Sequence, residues 1–427
     1  MVSGGTRTES RLETWTTYAG ILLAPFINLR IDIAFTLSSA LYSLVFAMKL
    51  YRGTMPRSPL GVVAWTWFPA LVLIVAGLHV SSLINGDPVR GMILTVQYGF
   101  GFLVLPFVLL RPTLDECYRM LVVFATSIVL LDLHGIATYF VVGYTPSSLV
   151  VTGNLRLATL IANPNGAACI NAVAILVLVW LLAEGRIGKL LGWVYLAVTV
   201  FSLVLTSSNT GLIVVVVGLL VYGGLTFQAK HFLRLAVALC IPVGFVAGGG
   251  LDYLPHTFQK RVLAAVVEGD VSEAGTYMSR SDLNWEALDT IEKREILFLG
   301  LGADQFRDVS VQEVPVHNVF LILWVEGGIL PLIGWLMLLS SGIVLWSRAR
   351  SERIMRRGRA AALAAFACLL VISNARAHLY TPYLYTAMLL IMGPTLAGLR
   401  QNALSRRPAS GFGGLSRAPG LAERSAV

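Results

Sequence analysis

The sequence predicts an all-α polytopic membrane protein with about twelve transmembrane helices and one large extracytoplasmic loop. Hydrophobic residues make up 56% of the 427 residues and charged residues only 13%, whereas a soluble domain carries about 25% charged residues. The apolar residues also fall in runs of about 20, the length that a helix needs to cross a bilayer. A bilayer is therefore the solvent that fits this composition.

The apolar runs predict where the helices cross the membrane. They lie near 15–29, 31–49, 60–84, 91–110, 118–142, 163–183, 188–206, 210–228, 233–250, 317–347, 360–376 and 379–398. The predicted organisation is a cytoplasmic N-terminus (1–14), helices one to nine (15–250), an extracytoplasmic loop (251–316), helices ten to twelve (317–398) and a disordered basic cytoplasmic tail (399–427).

The basic residues predict the orientation of these helices. With the N-terminus inside, every inner segment carries Lys or Arg, as the positive-inside rule expects. Examples are Arg186 with Lys189 and the arginine-rich segment 348–359, whereas the outer turn 207–209 has no basic residue. Both termini are therefore predicted to be cytoplasmic. The same placement accounts for the net charge of +9 without a nucleic acid partner, because no basic stripe with interleaved aromatic residues is present.

The outer segment 251–316 is far longer than the other loops. Its stretch from Ser281 to Glu295 alternates apolar and acidic residues at helical spacing, which predicts an amphipathic helix. Ser279 is predicted to cap the start of that helix. The glycine-containing stretch Gly300 to Phe306 predicts a turn. A loop of this length in a compact protein is usually functional.

Two candidate side chains belong to this loop or to its end. His317, with Asn318, stands where the loop enters helix ten, and a His at a membrane boundary can act as acid or base near neutral pH. The alternative is an interfacial His with an ordinary hydrogen bond. Arg280 carries a planar set of donors that matches phosphate oxygens. A salt bridge from Arg280 to Asp282 or Glu286 is the alternative.

Further candidates lie at other outer positions. Arg156 precedes the run Asn163-Pro164-Asn165-Gly166 at the outer end of helix six. That run breaks the helix start and leaves amide groups for a polar ligand, or it forms a simple turn and helix cap. Arg376 lies in the outer turn between helices eleven and twelve, where it is a candidate for an anion site. Asp132 and His134 lie inside helix five, where ionisable groups are functional candidates. Buried hydrogen bonds are the interpretation that the sequence favours for both.

The cysteines predict neither a metal site nor a disulfide framework. Cys117, Cys169, Cys240 and Cys368 are scattered, and three of them lie inside apolar runs. No CxxC or Cys/His spacing is present. They are therefore predicted to be small buried side chains, and no metal or other cofactor is expected.

Three of the stretches above carry a resemblance to a known family. The first runs from Arg156 to Asn165, the second from Arg280 through Gly300–Phe306, and the third is His317-Asn318 followed by the Glu326-Gly327-Gly328 run. In this order they resemble the O-antigen ligase and O-antigen polymerase superfamily of bacterial polysaccharide assembly. The resemblance covers about residues 150–345.

The resemblance implies a GT-C-like fold and an activity at the outer face of the bacterial plasma (inner) membrane. Members move a glycan from an undecaprenyl-diphosphate carrier to an acceptor, without a metal. The acceptor is lipid A core for a ligase, another carrier-linked glycan for a polymerase, and a Ser or Thr of a protein in a third branch. Membrane lipid and polysaccharide assembly proteins are the other candidate partners.

The resemblance also implies roles for single residues. Arg280 would hold the diphosphate and stabilise its departure, His317 would position or deprotonate the acceptor hydroxyl, and Arg156 would help on the phosphate side. The substrate-binding residues implied beside them are Asn163, Asn165, Asn209, Asn318 and Arg376.

One position departs from the family pattern. The outer turn between helices seven and eight often holds Ser-Arg in the family, but here it is Ser208-Asn209. Asn209 thus stands where a second phosphate-binding Arg is expected. Either Arg156 or Arg376 would supply that charge, or the protein handles its donor differently.

Two other classes of function remain open from the sequence. A secondary transporter or a lipid-linked oligosaccharide flippase is the main alternative, and it predicts related halves and coupling groups inside the membrane. The halves of this chain show no sequence repeat, and its polar residues concentrate outside, after span nine. A non-enzymatic assembly protein is the third hypothesis.

Overall fold

A computed structural model describes residues 10–29, 35–226, 255–262, 277–350, 355–377 and 381–405. Within these ranges the chain is helical, with one isolated antiparallel bridge between Val151 and Leu157 and no β-strand. The predicted all-α class is therefore confirmed. The α-helices are α1 (Arg11–Leu23), α2 (Leu37–Arg52), α3 (Ala64–Asn85), α4 (Pro88–Gly99), α5 (Leu105–Leu109), α6 (Leu114–Val141), α7 (Pro164–Ala183), α8 (Lys189–Thr206), α9 (Asn209–Thr226), α10 (His256–Phe258), α11 (Tyr277–Lys293), α12 (Phe306–Val309), α13 (Val319–Gly327), α14 (Ile329–Arg348), α15 (Arg356–Ser373) and α16 (Pro382–Ser405).

Eight helical segments of the described residues are long and apolar enough to cross a membrane, which agrees with a polytopic membrane protein. They are Gly61–Asn85, Pro88–Leu109, Leu114–Val141, Pro164–Ala183, Lys189–Thr206, Asn209–Thr226, Ile329–Arg348 and Pro382–Ser405. They correspond to the third to eighth, tenth and twelfth predicted spans. The ninth predicted span, 233–250, lies outside the described residues, and so does much of the predicted loop 251–316.

Helices also form at the first, second and eleventh predicted spans, but none of them is both long enough and apolar enough to join the eight segments above. The first prediction, 15–29, is wrong at both ends, because α1 begins after the N-cap Ser10 and ends at Leu23. At 13 residues and about 1.5 Å per residue, α1 is shorter than the apolar core of a bilayer. Helix α2 has 16 residues. Helix α15 has 18 residues and opens with arginines at its first positions.

The tenth predicted span, 317–347, is not one helix. It is divided into α13 and α14 at Gly328, whose φ is 79°. A Cβ at this position would lie 2.0 Å from the carbonyl oxygen of Phe298, so both the positive φ and the close approach require glycine. Because hydropathy does not register a backbone conformation, the break could not be seen in the apolar run.

Two other boundaries differ from the predictions. The amphipathic helix of the loop forms, but α11 already begins at Tyr277, so a cap by Ser279 is wrong. The tail was predicted to be disordered from residue 399, but α16 continues to Ser405. The rest of the predicted tail lies outside the described residues.

The core of the bundle is built around α7 and α16, which are almost entirely buried. Helix α3 packs against α14, while α9 packs against α15 and α7. The C-terminal end of α7 meets the N-terminal end of α15, because Arg357 Nη1 donates a hydrogen bond to the carbonyl oxygen of Ala183 at 2.8 Å. The N-terminal end of α7 and the C-terminal end of α15 therefore lie together at the opposite end of the bundle.

Candidate active site

A cavity of about 300 Å³ lies at this second end of the bundle. It is formed where α7 begins, where α8 turns into α9 and where α15 ends. Arg261 after α10, residues of α11 and His317 before α13 also line it. Its lining residues are Asn165, Ser208, Asn209, Thr210, Ile213, Arg261, Arg280, Ser281, Asn284, His317, Asn374 and Ala375. Four of the residues predicted from the sequence, Arg280, His317, Asn165 and Asn209, thus share one cavity.

The cavity is cationic. Two arginines and one histidine are among the described residues that line it, and no acidic residue is. The Nε atoms of Arg280 and Arg261 are buried and have no hydrogen-bond partner in the described part of the chain. Among the described residues Arg280 forms no ion pair with Asp282 or Glu286, and Glu286 Oε1 accepts the backbone N–H of Val311 at 2.6 Å. The two guanidinium groups are therefore available to an anion.

The arginines at the cavity destabilise one another's charge. The pKa of Arg280 is lowered by burial first and by the positive charge of Arg261 second. Burial, followed by the charges of Arg261 and Arg280, lowers the pKa of Arg156 to about 10. All three groups still carry their protons at neutral pH. A bound anion would relieve this repulsion, because opposite charge at short range favours the charged form.

His317 is held in its neutral form. Its pKa is lowered from the ordinary value by burial, by the charge of Arg280 and, to a smaller extent, by Arg376, while a hydrogen bond with the backbone of Pro315 acts in the other direction. Because an unperturbed His has a pKa of about 6.5, the imidazole is unprotonated at neutral pH. It can therefore accept a proton beside two fixed cations.

Arg156 lies behind the cavity wall and holds a residue that lines it. Only 8% of Arg156 is exposed. Its Nε donates to the carbonyl oxygen of Thr206 at 2.8 Å, and its Nη2 donates to Asn165 Oδ1 at 2.9 Å. The hydroxyl of Ser208 donates to the same oxygen at 3.0 Å. With Oδ1 held by two donors, the NH₂ group of Asn165 is the part of this side chain that is left for a ligand.

Asn163 and Asn318 form helix caps. Asn163 Oδ1 accepts the backbone N–H of Gly166 at 2.8 Å and begins α7. Asn318 Oδ1 accepts the N–H groups of Phe320 and Leu321 at 3.0 and 3.3 Å and begins α13. Such caps satisfy backbone donors that the first turn leaves open. Neither residue is among those that line the cavity. The turn-and-cap alternative therefore describes Asn163, and Asn318 is likewise a helix cap.

Arg376 lies beside the cavity but is not among its lining residues, although Asn374 and Ala375 are. Its Nη1 donates to the Tyr383 hydroxyl at 2.7 Å. Its charge nevertheless contributes to the lowered pKa of His317. Its contribution to the site is therefore electrostatic.

Arg261, Asn284 and Asn374 also line the cavity, and sequence reasoning missed them. Asn284 follows Arg280 by four residues in α11, and this spacing places both on one face of a helix, a signal that was present in the sequence. Arg261 had no such signal, because it lies in the loop without a periodic pattern around it. Its backbone carbonyl accepts a hydrogen bond from Asn209 Nδ2 at 3.1 Å.

A second polar cluster joins the loop to α13, outside the cavity. Glu326 is 1% exposed. Its carboxylate oxygens accept the backbone N–H groups of Asp304 at 2.8 Å and Phe306 at 3.4 Å, and its carbonyl accepts that of Gly302 at 2.8 Å. A Cβ at Gly300 would lie 2.2 Å from the Glu326 carbonyl carbon. The stretch Gly300 to Phe306 therefore docks on the end of α13, the helix that follows His317.

The comparison with known families agrees with this geometry. Residues 194–336 match the O-antigen ligase family. This match confirms the resemblance to the O-antigen ligase and polymerase superfamily. The matched segment includes Asn209, Arg261, Arg280, His317 and Glu326, whereas Arg156 precedes it. No curated protein gave a match to the chain.

The described helices agree with a multi-pass membrane protein. Its segment 194–336 is similar to the O-antigen ligase family. The segment that matches the O-antigen ligase family contributes nine of the twelve described lining residues of the cavity, and it ends before α15.

Proposed function

We propose that this protein is a glycosyltransferase that moves a glycan from a polyprenyl-diphosphate carrier to a hydroxyl group of an acceptor sugar. The bond between the anomeric carbon of the glycan and the diphosphate oxygen breaks, and its electron pair stays on the diphosphate. The acceptor oxygen forms the new bond to the anomeric carbon. The proton of that hydroxyl passes to His317 and from there to water, so atoms and charges balance.

The observation that carries this proposal is the pair of guanidinium groups in a cavity whose described lining residues include no carboxylate. Departure of the carrier develops negative charge on the diphosphate, and fixed cations placed in advance stabilise that charge most in the transition state. Arginine suits this task because its fork of donors matches phosphate oxygens and it does not lose its proton. Arg280 would bind the leaving group, and Asn165 and Asn284 would supply further donors.

His317 supports the second half of the reaction. A positioned base contributes about 10²–10⁴-fold when its pKa is suited to the working pH. A neutral imidazole in the same cavity as the arginines meets that need, because it can accept the acceptor proton as the new bond forms. Its own proton affinity is kept low by Arg280, which favours rapid release of the proton afterwards.

The charge pattern supports an extracytoplasmic cavity. The bundle end opposite the cavity holds Arg357 against Ala183, with Arg186 and Lys189 in the adjoining turn. Basic residues concentrate at the cytoplasmic side of membrane proteins. On this basis we place the cavity at the outer face and the protein in the bacterial plasma membrane, with both termini cytoplasmic.

The lipid-facing side of α9 supports a polyprenyl carrier. Ile213 lines the cavity and is 53% exposed, and most of the α9 surface around it faces away from the protein. An isoprenoid chain could therefore lie in the bilayer along α9 while its diphosphate occupies the cavity. A soluble sugar nucleotide would not need such an opening.

Reconstitution tests the proposal directly. The purified chain in proteoliposomes receives a polyprenyl-diphosphate-linked glycan and candidate acceptors, namely lipid A core and a second carrier-linked glycan. We expect product without ATP. We expect His317→Ala to lower the transfer rate by about 10²–10⁴-fold. His134→Ala is the matched control, because His134 is exposed on α6 and is not among the lining residues.

The same experiment separates the enzyme from a flippase. Full transfer activity in the His317→Ala variant would contradict the catalytic role of this residue. Movement of the carrier-linked glycan across the bilayer, without product in the presence of any acceptor, would overturn the glycosyltransferase proposal and favour a flippase. The identity of the productive acceptor distinguishes a ligase from a polymerase.

A further inference from the structure

We propose that Arg261 is the second diphosphate-binding cation of this cavity, paired with Arg280 and supplying the charge that is missing at Asn209. This inference rests on the proposed function and names the group that sets its preference for a diphosphate. From the sequence, Arg156 and Arg376 were the two candidates for this second positive charge. The inference assigns it to Arg261 instead.

The surroundings of Arg261 are those expected of an anion-binding cation. Arg261 lines the cavity together with Arg280, and its Nε is buried without a hydrogen-bond partner among the described residues. Buried polar groups normally have partners. Two guanidinium groups that share a cavity repel each other, and this arrangement costs stability unless a multiply charged anion occupies the space between them.

The other arginines at this end of the bundle are engaged elsewhere. Arg156 uses Nε and Nη2 for Thr206 and Asn165, and it lies behind the wall. Arg376 donates to Tyr383. Neither is among the lining residues, whereas Arg261 is.

The backbone explains how position 261 can substitute for position 209. Asn209 Nδ2 donates to the carbonyl oxygen of Arg261 at 3.1 Å, and both residues line the same cavity. A positive charge at either position would therefore act on nearly the same region. The charge comes from the loop rather than from the turn between α8 and α9.

Two guanidinium forks match the two phosphoryl groups of a diphosphate. A monophosphate presents a single group, which one fork can satisfy. We therefore expect Arg280 to contribute to the binding of both ligands and Arg261 to contribute mainly to that of the diphosphate. The carrier released by transfer is a polyprenyl diphosphate, so Arg261 would also stabilise the leaving group.

The test measures binding of farnesyl diphosphate and farnesyl monophosphate to the full-length chain in nanodiscs. We expect Arg261→Gln to weaken diphosphate binding by about 10- to 100-fold, the range for loss of a hydrogen bond to a charged group, and to leave monophosphate binding nearly unchanged. Lys260→Gln is the matched control, because it removes the same charge at the neighbouring exposed position. Equal diphosphate affinity in Arg261→Gln and the wild type would overturn the inference.

A charge-relocation variant keeps the test decisive if Arg261→Gln loses both ligands through misfolding. Combining Arg261→Asn with Asn209→Arg returns one positive charge to the adjoining position. Recovery of diphosphate binding in this double variant supports the inference, and failure to recover in a variant that retains monophosphate binding overturns it.

The outcomes for Arg261 and for the proposed function are distinguishable. If diphosphate binding depends on Arg261 but the wild type transfers no glycan to any acceptor, the Arg261 binding site is supported and the glycosyltransferase proposal is contradicted. If Arg261→Gln transfers glycan at the normal rate, the glycosyltransferase proposal is supported and the role of Arg261 in diphosphate binding is contradicted.

Discussion

The cationic cavity and the Glu326 junction both lie in stretches that carry the family resemblance, but their polar groups are in opposite conditions. In the cavity, the Nε atoms of Arg261 and Arg280 are buried without partners in the described part of the chain. At the junction, the carboxylate of Glu326 accepts backbone N–H groups of Asp304 and Phe306. One cluster is open to a ligand, and the other is closed by the protein itself.

This difference separates residues that bind a ligand from residues that build the scaffold. Groups left unsatisfied at the expense of stability are expected at functional sites, where a ligand completes them. A satisfied buried carboxylate instead fixes a loop in place. The motif glycines at 300 and 328 belong to the second kind, since a side chain there would collide with Glu326 and with Phe298. We infer that the junction positions His317 through α13 without taking part in the chemistry.

Among the tests of this comparison, Arg280→Gln has the largest expected effect. Loss of one fixed donor to a developing anion costs about 10²–10³-fold in rate, and we expect this decrease in the transfer rate measured in proteoliposomes. The melting temperature should stay the same or rise, because the substitution removes a buried charge that repels Arg261. Arg294→Gln is the control, since Arg294 is an exposed arginine just after the same helix. A lower melting temperature with normal transfer would place Arg280 in the scaffold.

The pH dependence of transfer tests the state of His317 in the cavity. Its pKa is lowered, so the neutral base predominates above that pKa and is lost as the pH falls through it. We expect a constant rate at neutral pH and, below about pH 6.5, a decrease that approaches tenfold per pH unit once the pH is under the shifted pKa. Arg376→Gln should move this acid limb to higher pH, because it removes a charge that lowers the pKa. An acid limb above neutral pH in the wild type would contradict a neutral resting base.

Glu326→Ala should affect stability more than catalysis. The substitution leaves the buried N–H of Phe306 and the partly buried N–H of Asp304 without an acceptor, and a buried unsatisfied donor costs about 1–3 kcal/mol. We expect a clear decrease in the melting temperature, and a smaller one for Glu326→Gln, which keeps one acceptor oxygen. Transfer measured well below the melting temperature should be retained in both variants. A loss of transfer with an unchanged melting temperature would show that Glu326 takes part in the reaction. The distinction between a ligand-binding cavity and a structural junction would then be wrong.

Eight of the predicted membrane-crossing helices are found among the described residues, because composition decides them. Helices α3 to α9 and α14 follow apolar runs, whose burial in lipid does not depend on the partner helix. The break at Gly328 escaped detection because a positive φ leaves no trace in hydropathy. The start of α1 at Arg11 depended on the local N-cap Ser10, which the apolar run did not contain.

Only the site residues that lie in sequence motifs could be predicted. Arg280 and His317 stand in recognisable stretches, and the fold brings them to one cavity. The positions of Arg156 behind the wall and of Asn163 and Asn318 at helix caps depend on single hydrogen bonds. Arg261 enters the cavity through the tertiary path of the loop, which no short-range pattern encodes.

The smallest expected effect, that of Asp132→Asn, tests whether the cavity is the principal polar site. Asp132 is fully buried in α6, and its Oδ1 accepts hydrogen bonds from Ser202 at 2.6 Å and Asn171 at 3.0 Å. Asn keeps an acceptor oxygen for these two donors and removes the ionisable group, so we expect unchanged transfer and only a small change in the melting temperature. Asp132→Leu is the contrasting variant, because it leaves both donors unsatisfied and should lower the melting temperature. A folded Asp132→Asn protein that lost activity would show that a titrating group inside the membrane is used, as in a proton-coupled transporter. The distinction between an open cavity and closed networks would then no longer identify the functional site.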